Sequence, residues 1–244
     1  MRIAVLSDIH GNLPALEAVL AALKPYDALW QLGDIVGYGP QPDEVVARLV
    51  AEGAVGVRGN HDSAAVGLLD THAFNDDARA AVEWTAERIQ TRTRDWLAAL
   101  PVRAQNEPFT LVHGSPRDPT WEYVYSAGVA RANMPLFETA HCLVGHTHVP
   151  LVFRQRGGKV EGVNVKDGTS LALGAERLVI NPGSVGQPRD GDPRASAMLI
   201  ETDLAARVTT LEWHRVAYPI EAVQRLMEQA GLPRRLSARL QFGL

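Results

Sequence analysis

Apolar runs of strand length, Ile3 to Leu6, Ala28 to Leu32, and Val55 with Val57, alternate with two amphipathic stretches of helical period. In the first stretch Leu13, Leu16, Leu20 and Leu23 recur at helical spacing behind Asn12, whose side-chain oxygen suits a helix start. In the second, Pro42, Asp43 and Glu44 place proline and negative charge at the start of a helix whose stripe is Val45 and Leu49. Strands separated by whole helices cannot pair as hairpins. The βαβαβ order therefore predicts a parallel sheet with helices packed on it.

The rest of the chain changes texture twice. A helix is expected from Asn75, Asp76 and Asp77 onward, with Ala78, Val82, Thr85 and Ile89 on one face, and another over Val129 to Phe137. Phe109 to Val112 and Leu143 to Val144 read as short strands. After Pro150 the segments 151–154, 160–163, 171–173, 178–180, 197–200 and 208–213 are short, β-like and punctuated by glycine, and predict an antiparallel sheet. A last helix covers Ile220 to Gln229. With no internal repeat and no linker, residues 1–244 read as a single domain in which two sheets pack together.

Composition narrows the partners. The formal charge is −4 and the basic residues are scattered, which argues against long nucleic acid. Cys142 is the only cysteine, so no internal disulfide forms, and its CLV context reads as a small buried hydrophobe. No apolar stretch approaches the ~20 residues of a membrane helix, and the apolar start before Asp8 is too short for a signal peptide; the expectation is a cytoplasmic protein off the membrane.

Polar residues recur where strands should end. Asp8 and His10 follow the first strand, Asp34 the second, and Asn60, His61 and Asp62 the third. His113, then His146 with His148, follow two later strands. In an open α/β sheet the carboxyl ends of the strands line the crevice that binds ligands. Imidazole and carboxylate donors together suit a borderline divalent metal, Mn, Fe, Ni, Co or Zn. Residues at i and i+2 of an extended chain share a side, so Asp8 with His10, and His146 with His148, are expected to reach one cluster. Gly11, Gly33, Gly59, Gly114 and Gly145 are expected to let the backbone turn beside them. This donor set exceeds the needs of one tetrahedral ion and fits two ions, about 3.5–4 Å apart, that share a carboxylate.

In order, D-x-H, G-D-x-x-G, G-N-H-D, H-G and G-H-T-H over residues 8–148 resemble the calcineurin-like metallophosphoesterase superfamily. The stretch NPGSVGQPRDGDPRAS at 181–196 is similar to its small bacterial and archaeal phosphodiesterase branch. The resemblance implies an α/β fold, a four-layer α/β/β/α sandwich of two mixed β-sheets flanked by helices. Carried over by position, one metal takes Asp8, His10, Asp34 and His148; the other takes Asp34, Asn60, His113 and His146. Asp34 bridges. His61 is implied as the general acid for the leaving oxygen, Asp62 as the residue orienting its ring, and a hydroxide between two divalent ions, manganese first, as the nucleophile.

The implied activity is a phosphodiesterase on a small phosphate ester or nucleotide. The alternatives are a phosphomonoesterase or protein-phosphatase-like enzyme and a non-catalytic metal-binding scaffold of the same fold, like the retromer subunit that resembles these enzymes. Protein phosphatases resemble G-D-x-V-D-R-G at the second motif; Gly37 and Tyr38 replace the acid and Arg here, against that reading and the related dinucleoside tetraphosphatases. Oligomeric state is not legible. The segments 63–74 and 115–125 are expected to build the pocket; contact of His72, Arg117 or Tyr123 with substrate is left open, His72 reading first as a structural or surface residue. Arg58 reads as a surface salt bridge, His141 and His214 as structural, Asp190 and Asp192 as turn residues, and 181–185 as a turn buttressing the cleft.

Overall fold

A computed structural model describes every residue except 204 and 207. Strands β1 (Arg2–Leu6), β2 (Ala28–Gln31) and β3 (Val55–Gly56) run parallel, joined by α1 (Leu13–Leu23) and α2 (Pro42–Ala51). Helices α3 (Asn60–Ala65), α4 (Asp76–Arg88) and α5 (Thr91–Ala99) lead to β4 (Arg103–Asn106) and β5 (Phe109–Val112). Then come α6 (Ala127–Asn133), β6 (His141–Leu143), β7 (Leu151–Arg156), β8 (Lys159–Val163), β9 (Ser170–Ala172) and β10 (Arg177–Asn181). The long hairpin β11 (Ala195–Asp203) and β12 (Val208–Val216) precedes α7 (Ile220–Gln229) and α8 (Arg234–Ala238).

The strands form two mixed sheets of six, ordered β3-β2-β1-β11-β12-β9 and β4-β5-β6-β10-β7-β8. Side-chain alternation on β1 explains why they face each other. Ile3 and Val5 point to an inter-sheet core with Phe109, Leu111, Ile180 and Trp213, while Ala4 and Leu6 point to α1 and α2. On the far face of the second sheet Val112, Cys142 and Val179 pack with Met134 and Phe137, next to α6. Helix, sheet, sheet, helix is the layer order, and the central strands β1, β5, β6 and β10 bury both faces. Truncating a side chain as enclosed as Phe109, 2% exposed, should cost ~3–5 kcal/mol.

The expected antiparallel sheet after Pro150 does not exist as a unit. β7, β8 and β10 join β4–β6, whereas β9, β11 and β12 join β1–β3. β10 also pairs parallel with β6, and β11 pairs with β1 through Ile3↔Ile200. Alternation tells a segment that it is a strand; which edge it pairs with depends on the faces two sheets bury together. The strand expected at 143–144 lies at His141–Leu143, and Val57 falls just past β3. Helices α3 and α5 and strand β4 carry no strong sequence period, and they emerge only in the fold. Among the described residues no helix is long and apolar enough to cross a membrane.

Candidate metal centre

Because β1, β2, β3, β5 and β6 run the same way within their sheets, their carboxyl ends open on one edge. Asp8 and His10 leave β1, Asp34 leaves β2, Asn60 starts α3 behind β3, His113 leaves β5, and His146 and His148 leave β6. All seven are at most 3% exposed. The loops brace each other: the Asp8 N–H donates to Gly33 O (3.0 Å) and the His10 N–H to Asp34 O (2.9 Å).

The backbone does not stay extended at these positions, as the i, i+2 reading expected. Asp8 (φ 53°), His10 (51°), Asp34 (52°), His146 (64°) and His148 (59°) all occupy the left-handed region. Each such residue costs of order 1–3 kcal/mol, and the fold holds five of them where Gly would be easier. The turn, not the pleat, brings each pair to one cluster. Among the flanking glycines, Gly59 is needed for close approach: a Cβ there would stand 2.1 Å from Asp34 Oδ1.

Two adjoining donor sets result. In one, single atoms of Asp8, His10, Asp34 and His148 all lie within 4.8 Å of one another; in the other, those of Asp34, His113 and His146 do. Asp34 belongs to both, its Oδ2 lying 3.6 Å from His10 Nε2 and 3.3 Å from His113 Nε2. Asn60 Oδ1 is 3.1 Å from the same His113 nitrogen.

The ring protons are assigned by backbone carbonyls. His10 Nδ1 donates to Val36 O (3.1 Å) and His148 Nδ1 to Gln187 O (2.6 Å), which leaves both Nε2 lone pairs bare. Yet those two Nε2 atoms face each other at 3.2 Å. His146 Nε2 is buried with no partner at all. Electron pairs held this close without a proton between them are what a cation would bind. The residues fit a divalent metal.

Electrostatics agree. Burial pushes the Asp8 carboxyl up to about 7 and drives His10, His146 and His148 well below the usual imidazole range, so these rings are neutral. Burial also opposes the charge on Asp34, but the imidazoles of His113, His61 and His10 outweigh it and hold that carboxyl well below the usual range. For His113 the same burial is overcome by Asp34, which lifts the ring to about 9. Without metal, a proton on His113 supplies the positive charge between the carboxylates.

His61 lies beside this centre, its N–H donating to Asp34 Oδ1 (2.9 Å) and its Nδ1 buried without a partner. Burial lowers its pKa to about 4. Asp62 differs from expectation: its carboxylate is taken up by the N–H groups of Ile35 (2.8 Å), Val36 (3.0 Å) and Gly59 (2.9 Å). It ties the Asp34 loop to α3 and so places His61 through the backbone. Gly37 (φ 83°) makes room for the ring, since a Cβ there would stand 2.4 Å from His61 Nδ1. That is a physical reason for glycine where the phosphatase motif has an acid.

A cleft of about 80 Å³ opens over the centre, lined by His61, Phe74, Trp121, Tyr123, Tyr38 and Arg189 among others. Tyr123 stacks on His146 (centroids 3.8 Å, planes 12° apart) and Tyr125 on Tyr123 at 5.2 Å. Phe74 packs edge-on to His61 at 4.9 Å. A larger groove between α7 and α8, about 670 Å³, holds none of the candidate ligands.

Other expectations resolve plainly. Segment 181–185 does buttress the cleft: Asn181 Nδ2 donates to Gly145 O (2.7 Å) and Ser184 Oγ to Asp8 O (2.8 Å), to which the Gly186 N–H just beyond it also donates (2.9 Å). Arg117 points outward, paired with Glu122, and His72 is exposed beside Asp70. Arg58 forms no ion pair among the described residues; it donates to Ala98 O (3.0 Å) and Leu100 O (2.8 Å). Asp190 and Asp192 pair with Arg215 and Arg194. Cys142 is buried in the core. Sequence reasoning missed Arg189 and Arg239, which meet over Tyr38; the one local signal was that Arg189 lies within the NPGSVGQPRDGDPRAS stretch.

An α/β/β/α sandwich with buried Asp, His and Asn donors at its strand ends defines a metal-dependent phosphoesterase. The chain belongs to the calcineurin-like phosphoesterase superfamily, whose domain matches residues 1–204. A crystal structure of a metallophosphoesterase from Sphaerobacter thermophilus is 45% identical, covers 100% of this chain and 99% of that one, and superposes with a TM-score of 0.90. An uncharacterized protein of Methanocaldococcus jannaschii is 33% identical over 250 residues, 99% of this chain and 98% of that protein. Phosphodiesterase YfcE of Escherichia coli K12 is 30% identical over 212 residues, 82% of this chain and 87% of YfcE.

Proposed function

We propose that the chain is a dinuclear metal-dependent phosphodiesterase acting on a small phosphate ester or nucleotide. One observation carries the reading: two buried donor sets share Asp34, with imidazole lone pairs converging on each other. Asp8, His10, Asp34 and His148 would hold one divalent ion, and Asp34, Asn60, His113 and His146 the other, manganese first and Fe, Ni, Co or Zn as alternatives. Ions bound there supply an activated water and positive charge against the phosphoryl oxygens.

The protein's own groups complete the chemistry. Val36 O and Gln187 O fix the tautomers of His10 and His148, and Tyr123 fixes the plane of the His146 ring. His61, which lines the cleft, gives its proton to the leaving oxygen; an arriving phosphate anion favours its protonated form. Asp62 positions it. The reaction adds water across one P–O bond, the hydroxyl going to phosphorus and the proton to the departing alkoxide. The diester preference is supported by the likeness to a protein named a phosphodiesterase.

The test is metal content and turnover on one preparation. The parent should bind close to two divalent ions per chain and hydrolyse bis(p-nitrophenyl) phosphate with added Mn²⁺. Asp34→Ala should lose both ions and at least about 100-fold in activity, more than second-layer changes do. A parent that binds no divalent metal, or an Asp34→Ala variant with full activity, overturns the proposal; metal bound without turnover on any phosphoester supports the scaffold instead.

A further inference from the structure

Most arginines with a buried portion here meet a carboxylate or a backbone carbonyl. Arg48 pairs with Glu17 and Glu52, Arg194 with Asp167 and Asp192, and Arg215 with Asp190, while Arg58 and Arg177 donate to carbonyls. Arg189 and Arg239 do neither with their side chains. Arg189 donates to the Tyr38 hydroxyl (3.3 Å) and to Gln187 Oε1 (3.0 Å), and Arg239 donates to that same Gln187 oxygen. Both guanidinium groups also stand over the Tyr38 ring, at 5.7 and 5.1 Å from its centroid.

Two like charges thus share one neutral amide oxygen and one aromatic ring, with no carboxylate in ion-pair reach among the described residues. Three further buried donors there lack a partner, Arg189 Nε, Arg239 Nε and Gln187 Nε2; an orphaned Nε also occurs at Arg2, Arg58 and Arg154, so what sets this pair apart is the convergence of three such donors on one place. Desolvated donors and paired cations of this kind call for an anion, and a planar guanidinium fork matches phosphate oxygens.

The place of the pair says whose anion it is. Arg189 lines the same cleft as His61, His146 and His148. Tyr38, which carries both arginines, also touches His10 and His61 with its ring at 4.5 and 4.4 Å between centroids. Gln187 holds both arginines by its side chain and the His148 ring by its carbonyl. Arg189 therefore opens on the cleft of the donor cluster, and Arg239 is joined to it through Tyr38 and Gln187, one aromatic ring away from the donors.

We infer that Arg189 and Arg239, held on Tyr38 and Gln187, form a second phosphate subsite, so that the preferred substrate carries a further phosphate beside the scissile one. The substrate half of this rests on the phosphodiesterase reading; the subsite itself does not.

Two arms test it. In the first, metal-free protein is titrated with inorganic phosphate by calorimetry. Parent should bind, and Arg189→Gln and Arg239→Gln should each weaken binding ten-fold or more; parental affinity in both variants overturns the subsite. In the second, kcat/KM is measured with Mn²⁺ for a pyrophosphate diester and for bis(p-nitrophenyl) phosphate. The ratio of the two should fall ten-fold or more in each variant, carried by KM. Phosphate affinity lost with that ratio unmoved overturns the substrate assignment and leaves free phosphate as the occupant. Should a Gln variant fail to fold, Arg239→Lys keeps the charge without the fork and should fall between parent and no binding. A parent that cleaves neither ester defeats the phosphodiesterase reading, and the calorimetric arm still decides the subsite.

Discussion

Asn12 performs two separable tasks, and replacing it measures how firmly the candidate metal loop is tied to the rest of the fold. Its Oδ1 accepts the Ala15 N–H (3.2 Å) and caps α1, while its Nδ2 donates to Gly186 O (3.0 Å). The side chain is 2% exposed, and the Gly186 N–H in turn donates to Asp8 O (2.9 Å). The cap contributes ~1 kcal/mol. Losing the second bond costs ~1 kcal/mol, or up to ~3 because it strands a buried carbonyl. Asn12→Ala should therefore destabilise by ~2–4 kcal/mol. Asn12→Asp keeps the cap acceptor but loses the donor and sets a carboxylate against Gly186 O, so it should still cost ~1–3 kcal/mol. Urea unfolding of the metal-free proteins, read as midpoint shifts at constant slope, gives both values. If Asn12→Asp unfolds within ~0.5 kcal/mol of the parent, the side chain is a helix cap and nothing more, and the proposed link from α1 through residue 186 to Asp8 is wrong.

A second prediction concerns Gly37. Gly37→Ala places a Cβ 2.4 Å from His61 Nδ1 at a φ of 83°, so diester turnover should fall about 10–100-fold while bound metal stays at the parental level; parental turnover in G37A would remove His61 from the chemistry. A third concerns acid stability. The Tyr26 hydroxyl (2.7 Å), with Arg48 and Lys24, lowers the Glu52 carboxyl from 4.5 to about 2. A depressed carboxylate stabilises above its unfolded pKa and loses that contribution as pH falls through the folded one. Glu52→Gln should thus cost on the order of 1–2 kcal/mol at pH 7, after allowance for solvent screening, and the gap to the parent should close between pH 4.5 and 2. Urea midpoints across that range check it, and a gap that persists at pH 2 would refute the assignment.

The sequence by itself determined which residues end the parallel strands. Period and order place Asp8, Asp34, Asn60, His113 and His146 each behind a strand, and strands alternating with helices must align their carboxyl ends. The donor chemistry was legible for the same reason: it lies in local dipeptides and tripeptides whose types change little with context. The helix starts at Asn12, Pro42 and Asn75 were readable too, since caps act within one turn.

Tertiary structure decided everything that depends on a partner distant in sequence. Local alternation could not say that β10 would lie beside β6 while β11 entered the other sheet next to β1, because register is chosen by the faces buried between sheets. Nor could it reveal the left-handed turns that aim His10 and His148, or the carbonyls of Val36 and Gln187 that set their tautomers. Arg239 had no local mark of function, and Arg189 only its place within the 181–196 stretch. They become a site only where the fold sets two unpaired guanidinium groups on one tyrosine ring, beside donors that five strand ends had already assembled.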